Sequence, residues 1–261
     1  MTAAEIALPV AEHYDDVSTS VIELDVRGDR CPALLFRPTG PGPHAGVVIG
    51  QEATGPNNFI RRVAATLAHI GYVTLVPDYY HGGGPPDPEN YEDIETIFQH
   101  MAVLDFRRAT YDLTAGVDYV SSLPRVDQDR LAVLGYCTGA TIALLAACVR
   151  TDLAATVLFY PSQPRFDALD VYRPVHAIDM VWNLTSAVLL MVGDADPVWP
   201  PELVTDLRRR LAQWGIDHAI NTYAGAGHAF CAPAPMFHHA AAEQAAWADA
   251  VRHLAAQLDK P

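Results

Sequence analysis

Along the chain, short runs of β-branched and aliphatic residues alternate with longer stretches in which apolar side chains recur every three or four positions. Val21–Val26 and Ala33–Arg37, on either side of the Gly28-Asp29 turn, predict an antiparallel pair, and Ala45–Ile49 predicts an apolar strand running into a polar loop. Helical spacing then covers Asn58–Ile70 and stops at Gly71, Val73–Val76 is a buried strand, and Asp105–Ser122 is a helix ending before Pro124. Leu131–Leu134, Thr156–Phe159, Ala187–Val192 and Ala219–Thr222 predict four further strands, interleaved with helices over Ala140–Val149, Pro201–Gln213 and Glu243–Leu258. Strands alternating with helices of this length give an α/β fold with a mostly parallel central sheet flanked by helices.

No internal repeat or flexible linker interrupts the pattern, so residues 1–261 are expected to form one domain. The stretch Gly82–Pro88, rich in glycine and proline, together with the acidic Glu89–Glu95, makes a long excursion between a strand and a helix. Residues 79–100 are therefore expected to be a lid or a mobile surface loop, with His81 as a contact of that lid.

Composition narrows the function. The 261 residues are 50% hydrophobic and 18% charged, enough apolar material for a large core. Seventeen basic against 31 acidic side chains give a formal charge of −14, a surface that repels phosphate backbones and anionic lipid headgroups, so neither nucleic acid nor a membrane is an expected partner. A start at Met1-Thr2-Ala3-Ala4-Glu5 without a basic and then apolar leader, and no run of about 18 apolar residues, point to a cytoplasmic chain. Cys31, Cys137, Cys148 and Cys231 are far apart and form no C-x-x-C pair, which argues against a zinc knuckle or a redox couple. No sequence signature specifies an oligomer.

The sharpest local signal is Gly135-Tyr136-Cys137-Thr138-Gly139 between an apolar strand and a helix of small residues. This is the nucleophile-elbow pattern with cysteine in the nucleophile position; a buried structural cysteine on a strand–glycine–helix turn is the alternative. The glycines suit a sharp turn whose crowded backbone leaves no room for side chains two residues either side, and the start of a helix favours a thiolate. An elbow nucleophile needs an acid and then a histidine on later loops. Asp194 and Asp196 follow the strand Ala187–Val192, and His228 lies in Gly225-Ala226-Gly227-His228-Ala229-Phe230 after the last strand. Asp196 is the better orienting acid because Pro197 and Pro200 stiffen the loop beyond it, whereas Asp194 directly follows Gly193 and suits a turn cap.

From Val21 to Leu258 the chain resembles the dienelactone hydrolase family of the α/β-hydrolases, on these three segments and on a fourth, Gln51-Glu52-Ala53-Thr54-Gly55-Pro56-Asn57, followed by Arg61 and Arg62. The resemblance implies Cys137 as nucleophile, His228 as base, Asp196 as orienting acid, Glu52 as the carboxylate that holds and then activates the thiol, and the backbone N–H groups of Ala53 and Thr138 as oxyanion hole. It implies a cysteine-dependent hydrolase of lactones or carboxylic esters that requires neither metal nor organic cofactor. A general carboxylesterase or thioesterase, or a noncatalytic binding protein that kept the pocket, are the other readings. The chain departs from the family at Ala232, where lactone-specific members carry an arginine for the substrate carboxylate. Arg107 and Arg108 could replace that charge or form surface ion pairs. Tyr79, Tyr80, Trp199 and Phe230 fall near strand ends and are candidate substrate contacts, with packing in the core as the alternative expected of most single aromatics.

Overall fold

The computed structural model describes residues 13–259. Eight strands, β1 (Val17–Val26), β2 (Asp29–Pro38), β3 (His44–Gly50), β4 (Val73–Pro77), β5 (Val126–Tyr136), β6 (Ala155–Phe159), β7 (Ala187–Gly193) and β8 (His218–Tyr223), form one sheet in the order β1-β2-β4-β3-β5-β6-β7-β8. β2 pairs antiparallel with both β1 and β4, and every pairing from β4 through β8 is parallel. Six α-helices flank the sheet among the described residues: α1 (Asn58–His69), α2 (Ile94–Val103), α3 (Phe106–Ser122), α4 (Thr138–Cys148), α5 (Pro201–Gln213) and α6 (Ala240–Leu258).

The period-two alternation of the strands divides the core into two layers. Val48, Val133 and Leu190 face α3 and α4 with Leu113, Val117 and Ile142, while Val47, Ile49, Leu134 and Met191 face α1 and α6 with Ile60, Val63, Val251 and Leu254. Polar caps fix the starts of α1 and α3. Asn57 accepts a hydrogen bond from Ile60 N at 3.0 Å and Asp105 accepts one from Arg108 N at 2.9 Å.

The sequence-based boundaries differ from the structure mainly at polar edges. β1 begins at Val17 and β5 at Val126, because pairing with β2 and β3 reaches these residues across polar stretches that carry no apolar alternation. The excursion over 79–100 contains the start of α2, absent from the sequence-based reading: only Ile97 and Met101 of this helix are buried, too little periodicity to stand out, and Asp93 caps it by accepting from Thr96 N at 3.1 Å. Glu89 ties the same segment to the start of α1 by accepting from Asn58 N at 2.7 Å. Among the described residues no helix is long and apolar enough to cross a membrane.

Candidate active site

Cys137 follows β5 directly, Asp196 lies three residues beyond β7, His228 five beyond β8, and Glu52 two beyond β3. All four therefore collect at the carboxyl edge of the parallel strands, where open α/β sheets leave a crevice for ligands. The elbow is built by close backbone approach. Cys137 has φ of 50°, in the left-handed region, and a Cβ on Gly135 would stand 2.4 Å from the Gly139 carbonyl oxygen. A Cβ on Gly139 would meet Gly50 and Gln51 backbone at 2.2 Å, so this pair of glycines lets β5, α4 and the end of β3 cross without separation. No side chain caps α4. Thr138 is its first residue, and helix geometry leaves its N–H without a partner within the helix.

One imidazole joins thiol to carboxylate. The Cys137 Sγ lies 3.3 Å from His228 Nε2, and His228 Nδ1 donates to Asp196 Oδ2 at 2.9 Å. The other oxygen of Asp196 accepts from Val198 N at 2.8 Å, so the carboxylate is fixed in a buried position. Asp194 instead accepts from Gly225 N at 2.7 Å and ties the loops after β7 and β8 together. Burial disfavours the imidazolium of His228, but the Cys137 sulfur and the Asp196 carboxylate outweigh it and hold the ring's pKa well above the ordinary histidine range.

Glu52 is buried, and its carboxylate accepts from the Tyr91 hydroxyl at 2.6 Å. Tyr91 accepts in turn from Asn57 Nδ2 at 2.6 Å, the same side chain that caps α1. Burial pushes the Glu52 carboxyl up to about 7, against the hydrogen bonds from Tyr91 and Asn57 and the charge of His228, which pull it down. The thiol bonds His228 and, more loosely, the Thr138 hydroxyl at 3.9 Å; the Glu52 bond goes to Tyr91. Tyr91 escaped sequence reasoning because it sits in a proline-rich loop 39 residues beyond Glu52, and only folding brings the two together. Tyr160, φ 39°, places its ring edge-on to His228 at 5.6 Å, and no periodic signal marks it either.

Three of the four candidate substrate contacts, Tyr79, Trp199 and Phe230, are buried, the core-packing alternative. Tyr79 donates to the carbonyls of Gln51 at 3.0 Å and Glu52 at 2.8 Å, and Tyr80 donates to the carbonyl of Ala53 at 2.9 Å. These hydroxyls clamp the loop that carries Glu52 and Ala53. Trp199 is buried with its indole N–H on the Pro161 carbonyl at 2.8 Å, bracing the Asp196 loop, and Phe230 is buried against Tyr160 at 4.9 Å. Tyr80 alone of the four is partly exposed. At the position of the missing arginine, Ala232 is fully buried against Tyr91 and Ala234. Arg108 reaches Asp29 at 3.4 Å on the surface, the ion-pair alternative.

A sheet of this strand order, with a strand-to-helix elbow after its fifth strand and a histidine after its last, is an α/β-hydrolase. Within that class the chain belongs to the dienelactone hydrolase family, hydrolases of ester bonds, whose sequence pattern matches residues 31–258. A Bradyrhizobium protein named "Probable 2-oxo-3-(5-oxofuran-2-ylidene)propanoate lactonase" is 30% identical over 92% of this chain and 95% of its own. The crystal structure of a "Putative Dienelactone Hydrolase" from Klebsiella pneumoniae superposes with a TM-score of 0.82 at 26% identity, covering 92% of this chain and 98% of the other. A dienelactone-hydrolase-like promiscuous phosphotriesterase from metagenomic libraries shares the fold, with a TM-score of 0.75 at 21% identity over 93% of this chain and 99% of its own.

Proposed function

We propose that this chain is a single-domain, cysteine-dependent hydrolase of lactones or carboxylic esters working through Cys137, His228 and Asp196. The observation that carries the reading is the unbroken line from Sγ through the imidazole to a buried carboxylate, 3.3 Å and 2.9 Å long, at the carboxyl edge of the sheet. The sulfur attacks the ester carbonyl carbon, and the resulting oxyanion is met by the N–H groups of Ala53 and Thr138. As the tetrahedral intermediate collapses, His228 hands its proton to the departing alkoxide oxygen and leaves a thioester on Cys137. Water then loses a proton to His228 and attacks the thioester carbonyl, and the sulfur leaves as the thiolate. Asp196 holds the imidazole with Nε2 toward the sulfur and supports its positive charge.

Glu52 is the titratable group that sets this line's charge from the side. Near neutrality it exchanges a proton, and in the ionised form its field favours the protonated His228 that must donate to the leaving group. Ala232 puts no cation where a substrate carboxylate would be paired, and it is fully buried against Tyr91 and Ala234. That favours neutral lactones and esters over the anionic lactone named for the Bradyrhizobium relative.

The test is turnover of a panel of neutral and carboxylate-bearing lactones and aryl esters, alongside mass-spectrometric mapping of a thiol-directed acyl probe. Labelling at Cys137 with turnover of the neutral members is expected. Turnover that persists in Cys137→Ala would overturn the mechanism, and preference for the carboxylate-bearing lactones would overturn the substrate class.

A further inference from the structure

A second group of the same three residue types lies elsewhere in the fold. Cys31 on β2, His81 just after β4 and Asp112 on α3 bring one sulfur, one ring nitrogen and one carboxylate oxygen to within 4.8 Å of one another. Cys31 and Asp112 are fully buried, so no substrate carbonyl reaches this thiol as it could reach Cys137; the His81 side chain, 12% exposed, is the only one of the three that meets solvent. His81 Nε2 lies 3.0 Å from Asp112 Oδ2, while the second carboxylate oxygen, Oδ1, is buried with no hydrogen-bond partner. The Cys31 thiol faces the same carboxylate, and a buried carboxylate oxygen left without an N–H or O–H donor is costly unless a proton or a cation compensates it.

From this geometry we infer that Cys31, His81 and Asp112 form a divalent-cation site, with Zn²⁺ as the ion its donors suit best. One thiolate, one imidazole and one carboxylate are a borderline-soft set that Mg²⁺ and Ca²⁺ disfavour and Zn²⁺ or Co²⁺ accept. The orientation of the ring agrees. His81 Nδ1 lies 2.8 Å from the Arg30 carbonyl oxygen, so a proton on Nδ1 donated to that carbonyl leaves Nε2 free to ligate, the usual outer contact of a metal-bound histidine. The backbone is held for it as well: His81 has φ of 54°, a conformation that costs energy in a non-glycine residue and persists only where its surroundings demand it. Arg108 Nη2 also approaches Nδ1 at 3.1 Å from the solvent side, and its pairing with Asp29 at 3.4 Å gives that cation a place to go. On binding, the Cys31 thiol releases its proton to solvent and its sulfur bonds the ion; no electrons move.

The consequence is structural support for the reaction site. The Cys31 sulfur is 3.6 Å from the Asp78 carbonyl, and Asp78 accepts from Gln51 Nε2 at 3.1 Å and from the backbone N–H groups of Tyr80 and Gly82 at 3.1 Å and 2.8 Å. An ion at this point would stiffen the turn whose two tyrosines clamp the loop of Glu52 and Ala53. The inference does not depend on the proposed reaction, since its readouts are binding and stability.

The experiment titrates full-length chelator-treated Cys137→Ala protein with Co²⁺, so that the reaction-site thiol cannot take the ion. One equivalent is expected to bind with a near-ultraviolet sulfur-to-cobalt charge-transfer band, and Zn²⁺ should displace it and raise Tm by several degrees. Cys31→Ser should abolish the band, and His81→Gln and Asp112→Asn should each weaken Co²⁺ binding by about tenfold or more. The partly exposed His81 carries the test if the buried Cys31→Ser variant does not fold. No band at stoichiometric Co²⁺, a band that survives Cys31→Ser, or one lost only with Cys148→Ser or Cys231→Ser would overturn the inference.

Discussion

Two constellations of cysteine, histidine and aspartate occupy this protein, and they differ in how the histidine is used. In Cys137–His228–Asp196 the two ring nitrogens face opposite partners, sulfur on one side at 3.3 Å and carboxylate on the other at 2.9 Å. A ring so placed can take and return a proton at Nε2 while the carboxylate at Nδ1 holds its orientation and supports its charge. In Cys31–His81–Asp112 the donor atoms converge on one point, and the remaining ring nitrogen lies against a backbone carbonyl at 2.8 Å. Convergence suits an ion rather than a proton relay. Identity of residue types therefore says little about chemistry; which nitrogen faces which atom, and whether the thiol meets solvent, decide it.

The largest effect should separate the reaction-site thiol from a buried cysteine outside both groups. Cys137→Ala is expected to lower kcat on the order of 10⁵-fold, as loss of a nucleophile does in acyl transfer, while Cys148→Ala, at a buried cysteine of neither group, stays within about threefold of wild type. Steady-state kinetics on a neutral aryl ester reads this directly, and equal losses would erase the distinction between relay and packing cysteines.

The aspartates come next. Asp196→Asn should cost about 10⁴-fold in kcat by offering the imidazole an amide in place of the carboxylate, whereas Asp194→Asn, at the residue that caps Gly225, should cost less than about tenfold. A reversed ranking would move the relay to the other acid.

A smaller effect is expected at Tyr91, whose hydrogen bond pulls the Glu52 carboxyl down from a higher value set by burial. The acid limb of kcat/KM, which reports free enzyme, should lie near 7 in wild type, move upward by about one pH unit in Tyr91→Phe, and vanish in Glu52→Gln. A limb that is the same in all three would assign it to another group.

The last prediction is thermodynamic. Glu52 titrates at about 7 in the fold against an ordinary 4.5, so its protonated form is the one the fold favours. Its contribution is fully present below pH 4.5, shrinks as pH rises through 7, and is gone above it; the difference corresponds to about 3 kcal/mol. Glu52→Gln should accordingly match wild type near pH 4.5 and exceed it at pH 8, by a Tm difference on the order of 5 °C. A thermal melt series across that range checks the sign, and an offset independent of pH would show that burial of the ionised carboxylate carries no penalty.

What the sequence alone determined about this protein is what local patterning controls. Alternation in Ala45–Ile49 and Ala187–Val192, helical spacing from Asn58, and the glycines around Cys137 all act within a few residues of one another, so strands, helices and the elbow are readable in order. The order of Cys137, Asp196 and His228 was legible for the same reason, since each sits on a loop that punctuation residues announce. Helix α2 was not, because two buried side chains leave no stripe to detect. Only the tertiary structure decided that Tyr91 reaches Glu52, that Tyr79 and Tyr80 clamp a backbone loop, and that Trp199 and Phe230 lie within the core. It alone brings Cys31, His81 and Asp112 together from β2, the turn after β4 and α3. These contacts join segments tens of residues apart through hydrogen bonds and burial, and such pairings leave no period in the chain: their energy exists only once the sheet has set the distances.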